Sequence, residues 1–268
     1  MFMKGLRLMA KFNLENVIVE SVDSKENVKN IFLELISKEP QENNIYIDRL
    51  ERLFNYALEY SYLFPNISIS NYTTIEDGIR KYLFRWIHKY IDGHNQVPLE
   101  SEVNSSGEID EALLQHLVVY FSRENENGEL LAHEAYKKHF LLMGLENLNG
   151  NVLEQYLKNV LEPIGWIWCA GEVYKAVDFC YILGDKPDIL LQVKNKYNSE
   201  NSSSSAIRNS TLITKWNRLN KPRSNDHTRP LENWAKLQSI VDCDDVNDEL
   251  TESSYLKYID ENSNINFR

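Results

Sequence analysis

Three residues in the second half of the chain could do chemistry together: Asp178, Gln192 and Lys194. They lie on two apolar, β-like runs, 175–183 and 189–194, separated by Gly184-Asp185-Lys186-Pro187, a cluster of chain-reversing residue types. The pattern predicts a β-hairpin. Side chains alternate faces along a strand, so Gln192 and Lys194 point the same way. Opposed residues in a hairpin lie equally far from the turn centre. A centre at Asp185 opposes Asp178 to Gln192, and a centre at Lys186 opposes it to Lys194. Either register gathers an acid, an amide and an ammonium at one end, with opposed Cβ atoms about 5 Å apart.

Such a trio suits metal-assisted phosphodiester hydrolysis. Asp178, Gln192 and the Val193 carbonyl offer the oxygen donors that Mg²⁺ prefers. A metal so held acidifies a bound water and offsets charge on a phosphate. Lys194 beside it is placed to orient the attacking water.

The spacing resembles the PD-(D/E)XK nuclease core, in which an acid on one strand faces an acid-x-Lys on the next. Two positions depart from that pattern: Val177 precedes the acid, and Gln192 replaces the second acid. The site loses one negative charge, so weaker metal binding is expected, with upstream glutamates sharing the coordination. Glu154 is the favoured helix acid, ahead of Glu146 and Glu172.

The neighbourhood is more specific than the trio. The segment 192–218, with Asn195, Lys196, Asn198, Ser199, Asn201, Ser203, Ser204, Ser205, Arg208, Lys215, Trp216 and Arg218, resembles SinI-type Type II restriction endonucleases. So do the run 139–157 and the passage from Gly165-Trp166 into Ala176-Val177-Asp178-Phe179. The likeness covers about residues 134–234. It implies a Mg²⁺-dependent homodimer that cuts double-stranded DNA at a short palindrome such as GG(A/T)CC, with a cognate DNA methyltransferase in the same prokaryotic host. It also implies a restriction-endonuclease-like α/β (α+β) fold, a mixed β-sheet core flanked by helices.

Composition is consistent with that expectation. The 268 residues are 43% hydrophobic and 11% aromatic, enough for a sizeable core. No apolar run reaches the 18 residues of a membrane span, and the N-terminal residues lack the apolar core of a signal peptide. Three cysteines, Cys169, Cys180 and Cys243, with no C-x-x-C, argue against a disulfide framework or a zinc site and for a reducing cytoplasm. The net charge of −11 opposes DNA binding only as a sum. Residues 186–230 carry nine Lys or Arg against three acids, a net +6 on a body of about −17. The bland reading of this segment is a charge fluctuation in a surface loop.

The elements expected around the hairpin are mostly helical. Apolar spacing predicts helices over about 24–39, 46–63, 74–91 and 109–122, and a short strand over 16–20. A long helix follows to about 147, with Asn149-Gly150 as a break before another over 152–161. Glu146 and Glu154 share a face only if that break is absent. A last helix runs from 234 to about 241, and the acidic tail from 242 should face solvent. Residues 1–129 read as an α-rich region for dimerisation or DNA wrapping, and 130–268 as the catalytic and recognition core. His88, His94, His116 and His139 are ordinary surface or interface histidines, and His133-Glu134 lacks the second His of H-E-x-x-H.

In the Ser-rich segment, hydroxyls and amides suit phosphate contacts. Arg208 is the first choice for a bidentate guanine contact, with Lys215 and Arg218 next. Two other classes stay open: a DNA-binding protein on a decayed nuclease core, and a structure-directed repair nuclease.

Overall fold

The computed structural model describes residues 12–20, 22–98, 102–103, 107–124, 126–197, 212–223, 228–263 and 266–267. Among them are eight α-helices: α1 (Leu14–Glu20), α2 (Val22–Ile36), α3 (Asn44–Glu59), α4 (Ile75–Asn95), α5 (Glu111–Phe121), α6 (Gly128–Leu161), α7 (Trp234–Val241) and α8 (Glu252–Asn262). A five-stranded sheet has the order β2 (Ile167–Trp168), β3 (Phe179–Tyr181), β4 (Ile189–Lys196), β5 (Ile213–Asn220), β6 (Leu231–Glu232). Two further short strands, β1 (Glu102–Val103) and β7 (Asn266–Phe267), pair in parallel. The fold is α/β, as expected.

The chain forms two compact units. The first comprises residues 1–96, 165–192 and 200–215; the second comprises 97–164, 193–199 and 216–268. Strands β4 and β5 each pass from the first into the second.

In the first unit, α1 to α4 turn their apolar stripes onto the start of the sheet. Leu14, Val28, Leu53, Phe54, Leu83 and Trp86 share one core with Ile167, Cys180, Leu190 and Ile213. Phe32 stacks on Phe54 with ring centroids 3.8 Å apart. The strand expected over 16–20 is instead part of α1. Leu14 and Ile18 are both buried at helical spacing, and that packing overrides the β preference of Val17-Ile18-Val19.

In the second unit, α5 and the first half of α6 form a helical pair around Leu114, Ala132 and Tyr136. The second half of α6 packs with α7 and α8, where Tyr156 meets Trp234, Tyr255 and Tyr258. The break expected at Asn149-Gly150 does not occur, and α6 runs unbroken for 34 residues. Asn149 takes a hydrogen bond from the Tyr255 hydroxyl, and Val152 and Leu153 are buried just beyond. These contacts offset the roughly 1 kcal/mol that a helix-interior glycine costs. Among the described residues no helix is long and apolar enough to cross a membrane.

Candidate functional site

The first unit positions Asp178 through a rigid approach. Residues 173–177 are tied down in succession. The Val173 carbonyl accepts from the Trp86 indole at 2.8 Å, the Tyr174 hydroxyl donates to the Leu53 carbonyl at 2.5 Å, and the Lys175 amide donates to the Leu63 carbonyl at 2.8 Å. The Lys175 ammonium lies 3.1 Å from Glu15. Ala176 has a positive φ of 59°, a conformation that costs an L-residue about 1–2 kcal/mol and persists because its neighbours are fixed. Asp178 is then held on both sides: its carbonyl accepts from the Cys169 amide and its amide donates to the Leu191 carbonyl, each at 2.8 Å.

The hairpin register is Phe179↔Leu191, Cys180↔Leu190 and Tyr181↔Ile189. Extended by one pair it opposes Asp178 to Gln192, the alternative centred on Asp185. The strand bends at Asp178, and its amide bond to Leu191 steps one residue off that register. The first strand is shorter than the expected 175–183, because residues 173–177 serve as the anchored approach. Asp178 is half-buried and Gln192 is 1% exposed. Burial accords with the amide: a carboxylate in that position would carry charge into the interior. Glu172, the third candidate acid, is exposed and lies 3.9 Å from Lys89.

Lys194 lies two residues beyond Gln192 on the same strand, on the same face. In the second unit it is half-buried, not sealed among apolar groups. With Val193, Asn195 and Lys196 it lines an open groove of about 390 Å³ whose other wall is α6, with Glu146, Asn147, Gly150, Leu153 and Glu154. The unbroken helix is what brings both glutamates to one groove. A Cβ built on Gly150 meets nothing within 4 Å, so the glycine leaves the groove open. Lys196 pairs with Glu146 at 2.5 Å, both about half exposed.

The DNA-contact candidates are placed unequally. Asn198, Ser199, Asn201, Ser203, Ser204, Ser205 and Arg208 lie outside the described residues. Lys215 is half-buried on β5. Arg218 departs from expectation. It is 7% exposed, its Nη1 donates to Glu252, its Nε donates to Asn195 Oδ1 at 2.8 Å, and its guanidinium lies 5.1 Å from the Tyr255 ring centroid. A guanidinium so committed offers no free fork to a base. Trp216 is fully buried against Trp234, its indole donating to the Asn233 carbonyl.

Glu252 was expected in a solvent-facing acidic tail. It is turned inward instead, its second oxygen accepting from the Trp234 indole at 2.7 Å. The local signal for α8 is Thr251, whose hydroxyl caps the helix by accepting from the Ser254 amide. The partnership with Arg218 has no local signal. Burial pushes the Tyr255 hydroxyl well above its ordinary pKa, and it pushes Tyr156, near Glu249, up to about 12.

Among the described residues no group of three or more His, Cys, Asp or Glu converges as a metal cluster. The donors expected from the sequence are a carboxylate, a carboxamide and a main-chain carbonyl. All are hard oxygens, which fit Mg²⁺ in kind while supplying a single negative charge.

A family model described as SinI restriction endonuclease matches residues 89–262. The Type II restriction enzyme SinI of Salmonella infantis is 43% identical over 141 residues, 52% of this chain and 57% of that protein. The Type II restriction enzyme Eco47I of Escherichia coli is also 43% identical over 141 residues, with the same coverage. The chain thus spans little more than half the length of the curated relatives it matches.

Proposed function

Since the chain belongs to the SinI restriction endonuclease family, we propose that it is a Type II site-specific deoxyribonuclease that hydrolyses a phosphodiester in each strand of a short DNA palindrome. The observation that supports this reading is the pairing of β3 with β4, beside which the Asp178 amide donates to the Leu191 carbonyl, one residue before Gln192. The Asp178 carboxylate, the Gln192 amide oxygen and the Val193 carbonyl would hold Mg²⁺. When bound, the ion supplies an acidified water and positive charge at the scissile phosphate. Lys194 orients the attacking water and donates to the phosphate oxygen on which negative charge grows. Glu154, across the groove from Lys194, accepts a hydrogen bond from the same water. Asn195, Lys196 and Lys215, with the Ser-rich segment and Arg208, contact the DNA.

A two-fold target is matched best by a two-fold protein, so the active form is a homodimer. It works in a prokaryotic cytoplasm beside a methyltransferase of the same specificity, which protects the host's own copies of a site of the GG(A/T)CC kind.

Incubating purified protein with plasmid and Mg²⁺ tests the reading: it requires discrete fragments whose end sequences share one motif. Binding without cutting would indicate a decayed nuclease, the alternative that Gln192 favours, and smearing or nicking would indicate a structure-directed enzyme. Asp178→Ala and Lys194→Ala should each lower cleavage by at least about a thousandfold; Asp178→Ala should keep DNA binding within roughly threefold, whereas Lys194→Ala should also weaken it by the loss of a phosphate contact. Cutting retained by either variant removes that residue from the mechanism.

A further inference from the structure

Arginine carries donors and no acceptor, so the bond from Arg218 Nε fixes the orientation of the Asn195 carboxamide: its oxygen is turned to Arg218. Its –NH₂ then occupies the other branch of the amide, directed away from Arg218. Asn195 lines the groove together with Lys194 and Lys196. We propose that Arg218 is a positioning residue that holds Asn195 with its amide hydrogens toward the groove, where they donate to a DNA phosphate oxygen. The proposal rests on the DNA-cleaving reading above and adds a residue that never touches the substrate.

The surroundings of Arg218 suit that task. Its Nη1 is taken by Glu252, its Nε by Asn195 and its face by Tyr255. Glu252 is itself fixed by the Trp234 indole. A buried ion pair gains little stability over an apolar pair of the same size, but it confers direction. Serving two partners at set angles needs the planar fork. A lysine in the same place could keep Glu252 company and would lose Asn195. The buried chain from α8 through β5 to β4 thereby sets which end of one amide faces the groove.

Binding of a 30-base-pair duplex without Mg²⁺, read by fluorescence anisotropy, tests this together with thermal melts. Asn195→Ala should weaken binding roughly tenfold, the worth of one hydrogen bond to a charged acceptor. Asn195→Asp keeps an acceptor for Arg218 and should melt no lower than the wild type, yet bind about a hundredfold more weakly, because a carboxylate now faces the phosphate. Arg218→Lys should cost about tenfold in the wild-type background and nothing further in the Asn195→Ala background. An arginine of merely structural importance would weaken both backgrounds equally, and that result overturns the proposal. So does Asn195→Asp binding as tightly as Asn195→Ala. A wild type that neither binds nor cuts DNA overturns the nuclease reading and this inference with it, whereas discrete plasmid fragments with either contrary variant result overturn the inference alone.

Discussion

Gln192 is the residue on which the proposed chemistry turns. Its amide replaces the second acid of the pattern that the hairpin resembles, and it is 1% exposed. An amide there is neutral in the empty protein and, in the proposed site, would lend one oxygen to a cation. A glutamate would be costly in the empty protein, because burying an unpaired carboxylate shifts the balance toward unfolding or protonation. With a divalent cation present the same charge would strengthen coordination. Gln192→Glu should therefore lower the melting temperature without metal, and lower the Mg²⁺ concentration for half-maximal cleavage by roughly tenfold. A Mg²⁺ titration of plasmid cleavage decides it. An unchanged midpoint would place the amide outside the coordination sphere.

At the scale of elements, the approach to Asp178 depends on two backbones touching. Gly93 on α4 faces residues 170–171, where a Cβ would meet the Gly171 nitrogen at 2.5 Å. Gly171 has φ +69°, and a Cβ on it would lie 1.9 Å from the Lys89 carbonyl oxygen. Gly171→Ala must both strain the backbone and push α4 away. The expected loss is about 3 kcal/mol, which lowers the melting temperature by roughly 6–12 °C. A melt within about 2 °C of wild type would show that this contact is loose. Asp178 is seven residues on, so cleavage should fall more than stability alone dictates.

Neither glycine's role was legible in the sequence, since each depends on the backbone of a distant segment. The hairpin was legible, because Gly184 and Pro187 punctuate two β-branched and aromatic runs. The helices α2 to α5 and α7 were legible from apolar spacing. Residues 16–20 and 149–150 misled for one reason: Val17-Ile18-Val19 and Asn149-Gly150 carry local preferences that packing of Ile18, and of Asn149 on Tyr255, overrides. The pairing of Glu252 with Arg218 joins residues 34 apart, and no local pattern announces it.

On the scale of the whole molecule, charge is segregated along the chain: residues 186–230 are net +6 in a protein of −11. The acidic remainder repels DNA except where the basic segment meets it, which favours a few close contacts over general adhesion. Not every cation in that segment counts. Arg218 spends its charge on Glu252 inside the protein, while the pair of Lys196 with Glu146 is exposed and exchangeable for a phosphate. The proposed homodimer, reaching two or three phosphates per protomer, should show log K falling with log salt at a slope of about −4 to −5. Lys194→Ala removes a phosphate-facing charge from each protomer and should flatten the slope by about 1 per protomer. Arg218→Lys should leave the slope unchanged while weakening binding at every salt concentration, because its charge never meets solvent or DNA. Anisotropy titrations between 50 and 200 mM salt separate these cases, a range over which such a slope changes affinity several-hundredfold or more. A wild-type slope shallower than about −2 would mean that the basic segment is not the DNA-facing surface, and a slope that changes with Arg218→Lys would return that arginine to the phosphate contacts.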